Sequence, residues 1–307
     1  SDVYLRFLAF SFFVFLLVLL PGSENDTKAR IDLGRALFFE TALSFNNTQS
    51  CNSCHELRGN GSGTDNLSVS IGALGHEGTR NSPTVWNAGF QFAQFWDGRA
   101  VNLKEQAQSP ILNKNEMALP SKEEAVERLK GIGSYGTLFE AAFPGDPDPV
   151  KFGHITEALA AFQRTLITRD RFDIFLDGDD NALNDQEKKG LYTFIKSGCN
   201  GCHNGPLMGG ELFMKMGLVN PYPNTIDKGR AEVTGKRRHN FLFKVPTLRN
   251  VAQTAPYFHD GAVFDLGKAV LDTGWHQLGI RFTKEETLDI VAFLKSLDNI
   301  QPVTGLE

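Results

Sequence analysis

Four cysteines, and the histidine that follows each pair of them, carry the chemistry this sequence states most directly. They stand as Cys51-Asn52-Ser53-Cys54-His55 and Cys199-Asn200-Gly201-Cys202-His203. Each stretch reads Cys-x-x-Cys-His, the attachment signature of a c-type haem. Two thiols add to the haem vinyl groups, and the adjacent imidazole reaches the iron as its proximal ligand. The spacing matters because two thioether bonds and one axial bond must close on a single small macrocycle. The two copies together use every cysteine in the chain. A zinc site and a redox dithiol are the alternatives for a cysteine pair. The histidine placed directly after both pairs favours haem. The sequence therefore predicts two covalently bound haem c groups.

The elements that must hold these motifs repeat. Leu33, Leu37 and Phe38 share one helical face, and a Ser/Asn-rich turn over 44–50 leads from them into the first motif. Asn184 with Glu187 caps a helix running to Lys196, and Gly198 stops it just before Cys199. Between the motifs, residues 58–80 read as a glycine-rich loop over one haem face, and such loops carry function. Ser121 with Glu124 opens a helix over 122–130. Ile155, Ala158, Leu159, Phe162 and Leu166 form a helical stripe. Asn240 to Val245 is strand-like. Thr283 with Glu286 caps a last helix whose Leu288, Ile290, Val291, Phe293, Leu294 and Leu297 read as core-facing. The fold class expected is mainly α: two cytochrome c-like haem domains with long irregular loops.

The chain has 307 residues, long enough for two domains, and its motifs lie 148 residues apart. One haem per domain follows, with domains over 23–165 and 166–307. The net charge of −5 and the absence of a basic stripe argue against a nucleic-acid partner. At the N-terminus Arg6 precedes an apolar run from Phe7 to Leu20. Its 14 residues fall short of the roughly 20 that span a bilayer, so residues 1–22 read as a signal peptide, with an uncleaved membrane anchor as the alternative. Haem attachment of this type takes place outside the cytoplasm, which places the soluble part in the periplasm.

A family emerges from the remaining motifs. Leu33 to Phe39, Ser50 to His55, Arg80-Asn81-Ser82-Pro83-Thr84, Phe95-Trp96-Asp97-Gly98-Arg99-Ala100 and Glu105-Gln106-Ala107 follow one another in order. Pro246-Thr247-Leu248-Arg249-Asn250 and Pro256-Tyr257-Phe258-His259-Asp260-Gly261 come later. Over roughly residues 31–298 the chain resembles the bacterial dihaem cytochrome c peroxidases. The resemblance implies a peroxidatic haem on His55 and an electron-entry haem on His203. It implies Glu116 as the catalytic carboxylate, Gln106 near the peroxide site, and Trp96 as an aromatic between the haems. It also implies one calcium ion between the domains, held by the Asn81 side chain and the backbone carbonyls of Thr254 and Pro256, hard oxygen donors of the kind calcium takes. Without the resemblance, Glu116 would read as a solvated loop residue, Trp96 as a packing residue, and the calcium positions as ordinary turns. His259 reads as structural or near a haem edge.

Two positions depart from the family pattern. A histidine that blocks the distal face of the peroxidatic haem in many members would fall at Ala73, and the nearest histidine is His76. Either His76 serves as the distal ligand, or the site is open at rest. On the electron-entry haem the usual methionine would fall at Thr273, with His276 three residues further on. Histidine in place of methionine would lower the haem potential.

The reading that follows is an exported peroxidase reducing hydrogen peroxide to water, with electrons from a small cytochrome c or cupredoxin. A homodimer is the common state among proteins of this type. A dihaem oxidase acting on a protein or organic substrate is the alternative within the family. A non-catalytic dihaem electron carrier is the alternative of a different class.

Overall fold

A computed structural model describes Leu5 and residues 22–301. The apolar run read as a signal peptide or anchor lies outside the described residues. Among them, no helix is long and apolar enough to cross a membrane. The chain is mainly helical, and its described sheet is a single two-stranded antiparallel ribbon. It divides into two units, each with its own apolar core.

The first unit comprises, among the described residues, 22–90 and 100–167. Helix α1 spans Lys28–Phe38, and the Thr27 hydroxyl accepts from Arg30 N at its start. It begins earlier than the apolar pattern suggested, because a polar first turn needs a cap rather than a stripe. Helix α2 spans Lys122–Lys130, capped by Ser121 as its sequence predicts. Helix α3 spans Gly133–Ala142, and α4 spans Phe152–Arg164. The stripe on α4 packs against Leu33, Leu37 and Phe38 of α1, with Phe38 edge-on to Phe162 at 5.3 Å. The backbones touch at Gly34, where a Cβ would stand 1.9 Å from the Ala158 carbonyl oxygen. Arg128 on α2 donates to Ser44 O at 2.7 Å and Phe45 O at 3.2 Å, and pairs with Glu124 at 2.7 Å. One guanidinium thus fixes the turn that delivers the first Cys-x-x-Cys-His.

The second unit comprises, among the described residues, Leu5, 91–99 and 168–301. Helix α5 spans Asp185–Lys196, with the Asn184–Glu187 capping box in place. It is followed by β1 (Phe213–Lys215), β2 (Leu242–Lys244), α6 (Leu266–Thr273) and α7 (Lys284–Lys295). After Thr273 the chain continues as one π-helical turn, Gly274–Leu278. In the ribbon Met214 faces Phe243, and Lys215 faces Leu242. The crossing of α5 and α7 repeats that of α1 and α4. A Cβ on Gly190 would stand 1.9 Å from Asp289 O and 2.9 Å from Phe293 Cβ. Leu288 corrects the expected stripe on α7. It is 50% exposed, while Ile290, Phe293, Leu294 and Leu297 are buried. The close crossing at Gly190 turns the Asp289 and Phe293 side of α7 inward. The stretch 91–99 packs with this unit: Phe92 N donates to Gly210 O at 3.1 Å, and Lys244 N to Trp96 O at 2.7 Å.

Candidate haem sites

Each Cys-x-x-Cys-His forms a short helical turn, Cys51–Cys54 and Cys199–Gly201, that ends on its histidine or just before it. The two imidazoles are held alike. His55 Nδ1 lies 3.0 Å from Pro83 O, and His203 Nδ1 lies 3.0 Å from Met208 O. A carbonyl accepts, so Nδ1 carries the proton and Nε2 keeps its lone pair for a metal. Burial lowers the pKa of both rings, which favours the neutral, ligating form. The thiols move the opposite way from a redox dithiol. Burial pushes Cys51 up to about 12, Cys54 to about 11 and Cys199 to about 12, and raises Cys202 as well. A reactive dithiol needs a depressed thiol pKa. Among the described residues, no group of three or more His, Cys, Asp or Glu side chains is arranged to hold a metal ion.

Around the second motif the fit to a macrocycle is direct. Cys199, Cys202 and His203 line a cavity partly open to solvent. Its walls are mostly apolar, with Phe194, Leu248, Val251 and Leu294 among them. An apolar space with one imidazole and two thiols at its edge is chemically suited to a haem.

Around the first motif the glycine-rich loop and a second turn form one assembly. Asn113 to Ala118 is a tight turn, in which Glu116 N and Ala118 N both donate to Asn113 O, at 2.9 and 3.0 Å. The Glu116 carboxylate accepts from Asn113 Nδ2 at 2.7 Å. Gly72 presses on this turn so closely that a Cβ would meet Asn115 O at 2.3 Å. Next to it, Ala73 N donates to Glu116 O at 2.7 Å, and Ala73 O accepts from Asn46 Nδ2 at 2.8 Å. Ala73 is buried. Burial is the main cause of the raised Cys51 and Cys54 pKa values, and the Glu116 charge adds to both. Gln106 ends the short helix Leu103–Gln106 and is half-buried in the same unit. His76 lies past the tip of the hairpin at Gly75 and is exposed, its carbonyl accepting from Gly72 N. Asn81 is buried and ties the loop together by donating to Leu67 O at 2.8 Å.

Trp96 sits in the second unit and lines the His203 cavity. Its ring meets His259 edge-on at 6.5 Å, and His259 stacks on Phe243 at 4.1 Å. His259 lines the same cavity and is buried. Thr273 also lines it. His276 turns Nδ1 toward Asn220 O at 3.0 Å, while Gly274 and Gln277 on either side of it line the cavity. Thr254 Oγ1 donates to Val251 O at 3.1 Å, and the Ala255–Pro256 peptide bond is cis.

Sequence reasoning missed three features of these sites. Lys244, Met214 and Met216 all line the His203 cavity. The Lys244 ammonium donates to Ala93 O at 2.8 Å and to Gln91, holding the backbone that carries Trp96. Asp65 accepts from the Ser70 hydroxyl, and its charge reaches Cys54 and His55. A strand of alternating residues hints at the two methionines. Nothing local marks Lys244 or Asp65.

Comparison with known proteins decides the family. A family model described as di-haem cytochrome c peroxidase matches residues 28–181. The cytochrome c551 peroxidase of Pseudomonas aeruginosa is 46% identical over 289 residues, covering 92% of this chain and 82% of that protein. The chain belongs to the di-haem cytochrome c peroxidase family. It is a peroxidase with two haem cofactors, and its mainly helical fold is that of its relatives. The MauG protein of Methylorubrum extorquens is 34% identical over 290 residues, covering 90% of this chain and 80% of its own. Among solved structures, a MauG-like protein associated with microbial copper homeostasis superposes with a TM-score of 0.81 at 30% identity, over 89% of this chain and 90% of that one.

Proposed function

We propose that this peroxidase reduces hydrogen peroxide to water at a haem held covalently by Cys51, Cys54 and His55. Electrons enter at a second covalent haem on Cys199, Cys202 and His203, from a small cytochrome c or cupredoxin. The observation that carries the reading is the placement of Glu116. Its carboxylate is fixed by Asn113, its backbone is bonded to Ala73, and the glycine-rich loop presses on its turn at Gly72. Bound haem supplies the iron and one-electron steps that side chains lack. Glu116 takes the proton from one peroxide oxygen and gives it to the other as the O–O bond breaks, the role of a general acid and base. Gln106 orients the peroxide by its amide. Two electrons and two protons then complete two waters.

The distal face of the first haem is open at rest in this reading. The position expected to carry a blocking histidine is Ala73, buried between Asn46 and Glu116, whereas His76 is exposed past the hairpin tip. Export to the periplasm follows from the covalent attachment. The assay is peroxide consumption by the as-isolated, fully oxidised protein on mixing with reduced cytochrome c or reduced cupredoxin. Turnover without a lag is expected. Turnover that appears only after pre-reduction refutes the open site, and no peroxide loss with either donor refutes the function.

A further inference from the structure

We propose that the axial ligand opposite His203 on the second haem is the thioether of Met216, supplied from the chain just after β1. The inference rests on the reading that a haem fills the His203 cavity. The chain has four methionines. Met117 is in the core of the first unit. Met208 is fully buried, and its carbonyl accepts from His203 Nδ1, which puts it behind the proximal imidazole. Met214 and Met216 both line the cavity. Met214 is in β1 and Met216 in the turn that follows it, while Phe213 packs against the Arg230 guanidinium and Lys215 is exposed.

Two other donors on the cavity wall, Lys244 and Tyr257, are already engaged. The Lys244 ammonium is held by Gln91 and Ala93 O. The Tyr257 hydroxyl donates to Val251 O at 3.2 Å. The His259 ring is stacked on Phe243 and flanked edge-on by Trp96. Thr273 presents only a hydroxyl, a hard oxygen poorly matched to haem iron. His276, whose Nδ1 faces Asn220 O, is not among the residues lining the cavity. Met214 and Met216 are the thioethers on this wall, soft donors of the kind that ligate haem iron.

Gln277 selects between them. Its Oε1 accepts from Gly217 N at 2.7 Å and Leu218 N at 3.2 Å, and its Nε2 donates to Lys215 O at 3.0 Å. These three bonds bracket Met216 on both sides. They fasten it to the turn that follows Thr273, the place where the family resemblance expects a methionine. Met216 N also donates to Phe241 O at 2.8 Å, fixing its backbone. An unbranched side chain with three rotatable bonds reaches an iron from such a mount without demanding a special backbone. A His/Met pair raises the haem potential, as an electron-entry haem requires.

The test uses the holoprotein and the variants Met216→Leu and Met214→Leu. Haem content is measured first, then optical, magnetic circular dichroism and electron paramagnetic resonance spectra, and the midpoint potential of each haem. The wild type should show the long-wavelength sulfur-to-iron charge-transfer band of a methionine-ligated low-spin haem. Met216→Leu should lose that band, convert this haem to high spin and lower its potential, leaving the His55 haem signals unchanged. Met214→Leu should keep the band. Two haems per chain with no sulfur band in the wild type, or with a band that survives in Met216→Leu or vanishes in Met214→Leu, overturns the ligand assignment alone. Fewer than two haems per chain overturns both it and the reading beneath it.

Discussion

Gly190→Ala tests whether the paired helix crossings set the haem sites. The added methyl carbon would stand 1.9 Å from Asp289 O, 2.5 Å from its carbonyl carbon and 2.9 Å from Phe293 Cβ. Ordinary contact lies near 3.5 Å, so α5 and α7 must part by about 1.5 Å. Side-chain rotation gives no relief, because the first obstacle is backbone. Parting strips Ile290, Phe293 and Leu294 of packing they now have at near-complete burial. Overpacking of this kind costs about 1–3 kcal/mol, and backbone obstruction places it at the upper end. Alanine recovers up to about 1 kcal/mol as the better helix former. A net loss of about 2 kcal/mol or more is expected. Gly34→Ala meets the same geometry at Ala158 O and Phe162 and should weaken the first unit instead. Urea melts followed separately at each haem's absorption would read the two. The reasoning fails if Gly190→Ala leaves the melting midpoint of the His203 haem unchanged, or if both variants weaken the same unit.

Glu116→Gln should reduce peroxide turnover by about 10²–10⁴-fold, the usual worth of a positioned general acid and base, with two haems retained by haem assay. Ala73→His should place an imidazole beside Glu116 and make the oxidised enzyme inactive until pre-reduced; unchanged as-isolated turnover counts against the open site. Arg249→Leu leaves Asp170 as a buried carboxylate without the guanidinium that now donates to it at 2.6 Å, and should cost about 3–5 kcal/mol in a denaturant melt. Burial lowers Lys244 to about 7 in the folded protein. Between about pH 7 and 10 the unfolded chain therefore holds a proton that the folded one lacks, so this residue makes stability rise with pH, by at most about 1.4 kcal/mol per pH unit. Lys244→Met should flatten that rise in melts across the window; an unchanged slope means the amine is not the source.

What the sequence made legible was local. The haem motifs, the capping boxes at Asn184 and Thr283, and the stripe on α4 all depend on residues within a turn or two of each other. Gly34 and Gly190 were opaque for the opposite reason. In isolation each is a poor helix former, and its purpose lies in a helix about 100 or more residues away whose carbonyl it must admit. The same holds for 91–99, whose attachment rests on Lys244 and Gly210 rather than on anything in the stretch itself. Leu288 fell on the wrong side of its stripe because the Gly190 crossing, not hydrophobicity alone, sets the rotation of α7.

This division maps onto the chemistry. The proximal side of each haem is specified by five consecutive residues and one backbone carbonyl, so a motif is enough to read it. In the reading proposed above, the distal side is assembled from chain brought in from elsewhere: Ala73 is placed by Asn46 and Glu116, and the 215–218 segment by Gln277. A substitution on the proximal side removes a haem, whereas a substitution on the distal side changes what the haem does. Selection can therefore vary the distal positions while the proximal motif stays intact. Ala73 and Thr273 sit where that variation would appear, and each stands beside a segment held by bonds that do not depend on its own side chain. In such a scaffold the identity of a distal ligand follows from which side chain the surrounding bonds aim at the cavity, and positional correspondence along the sequence is the weaker guide.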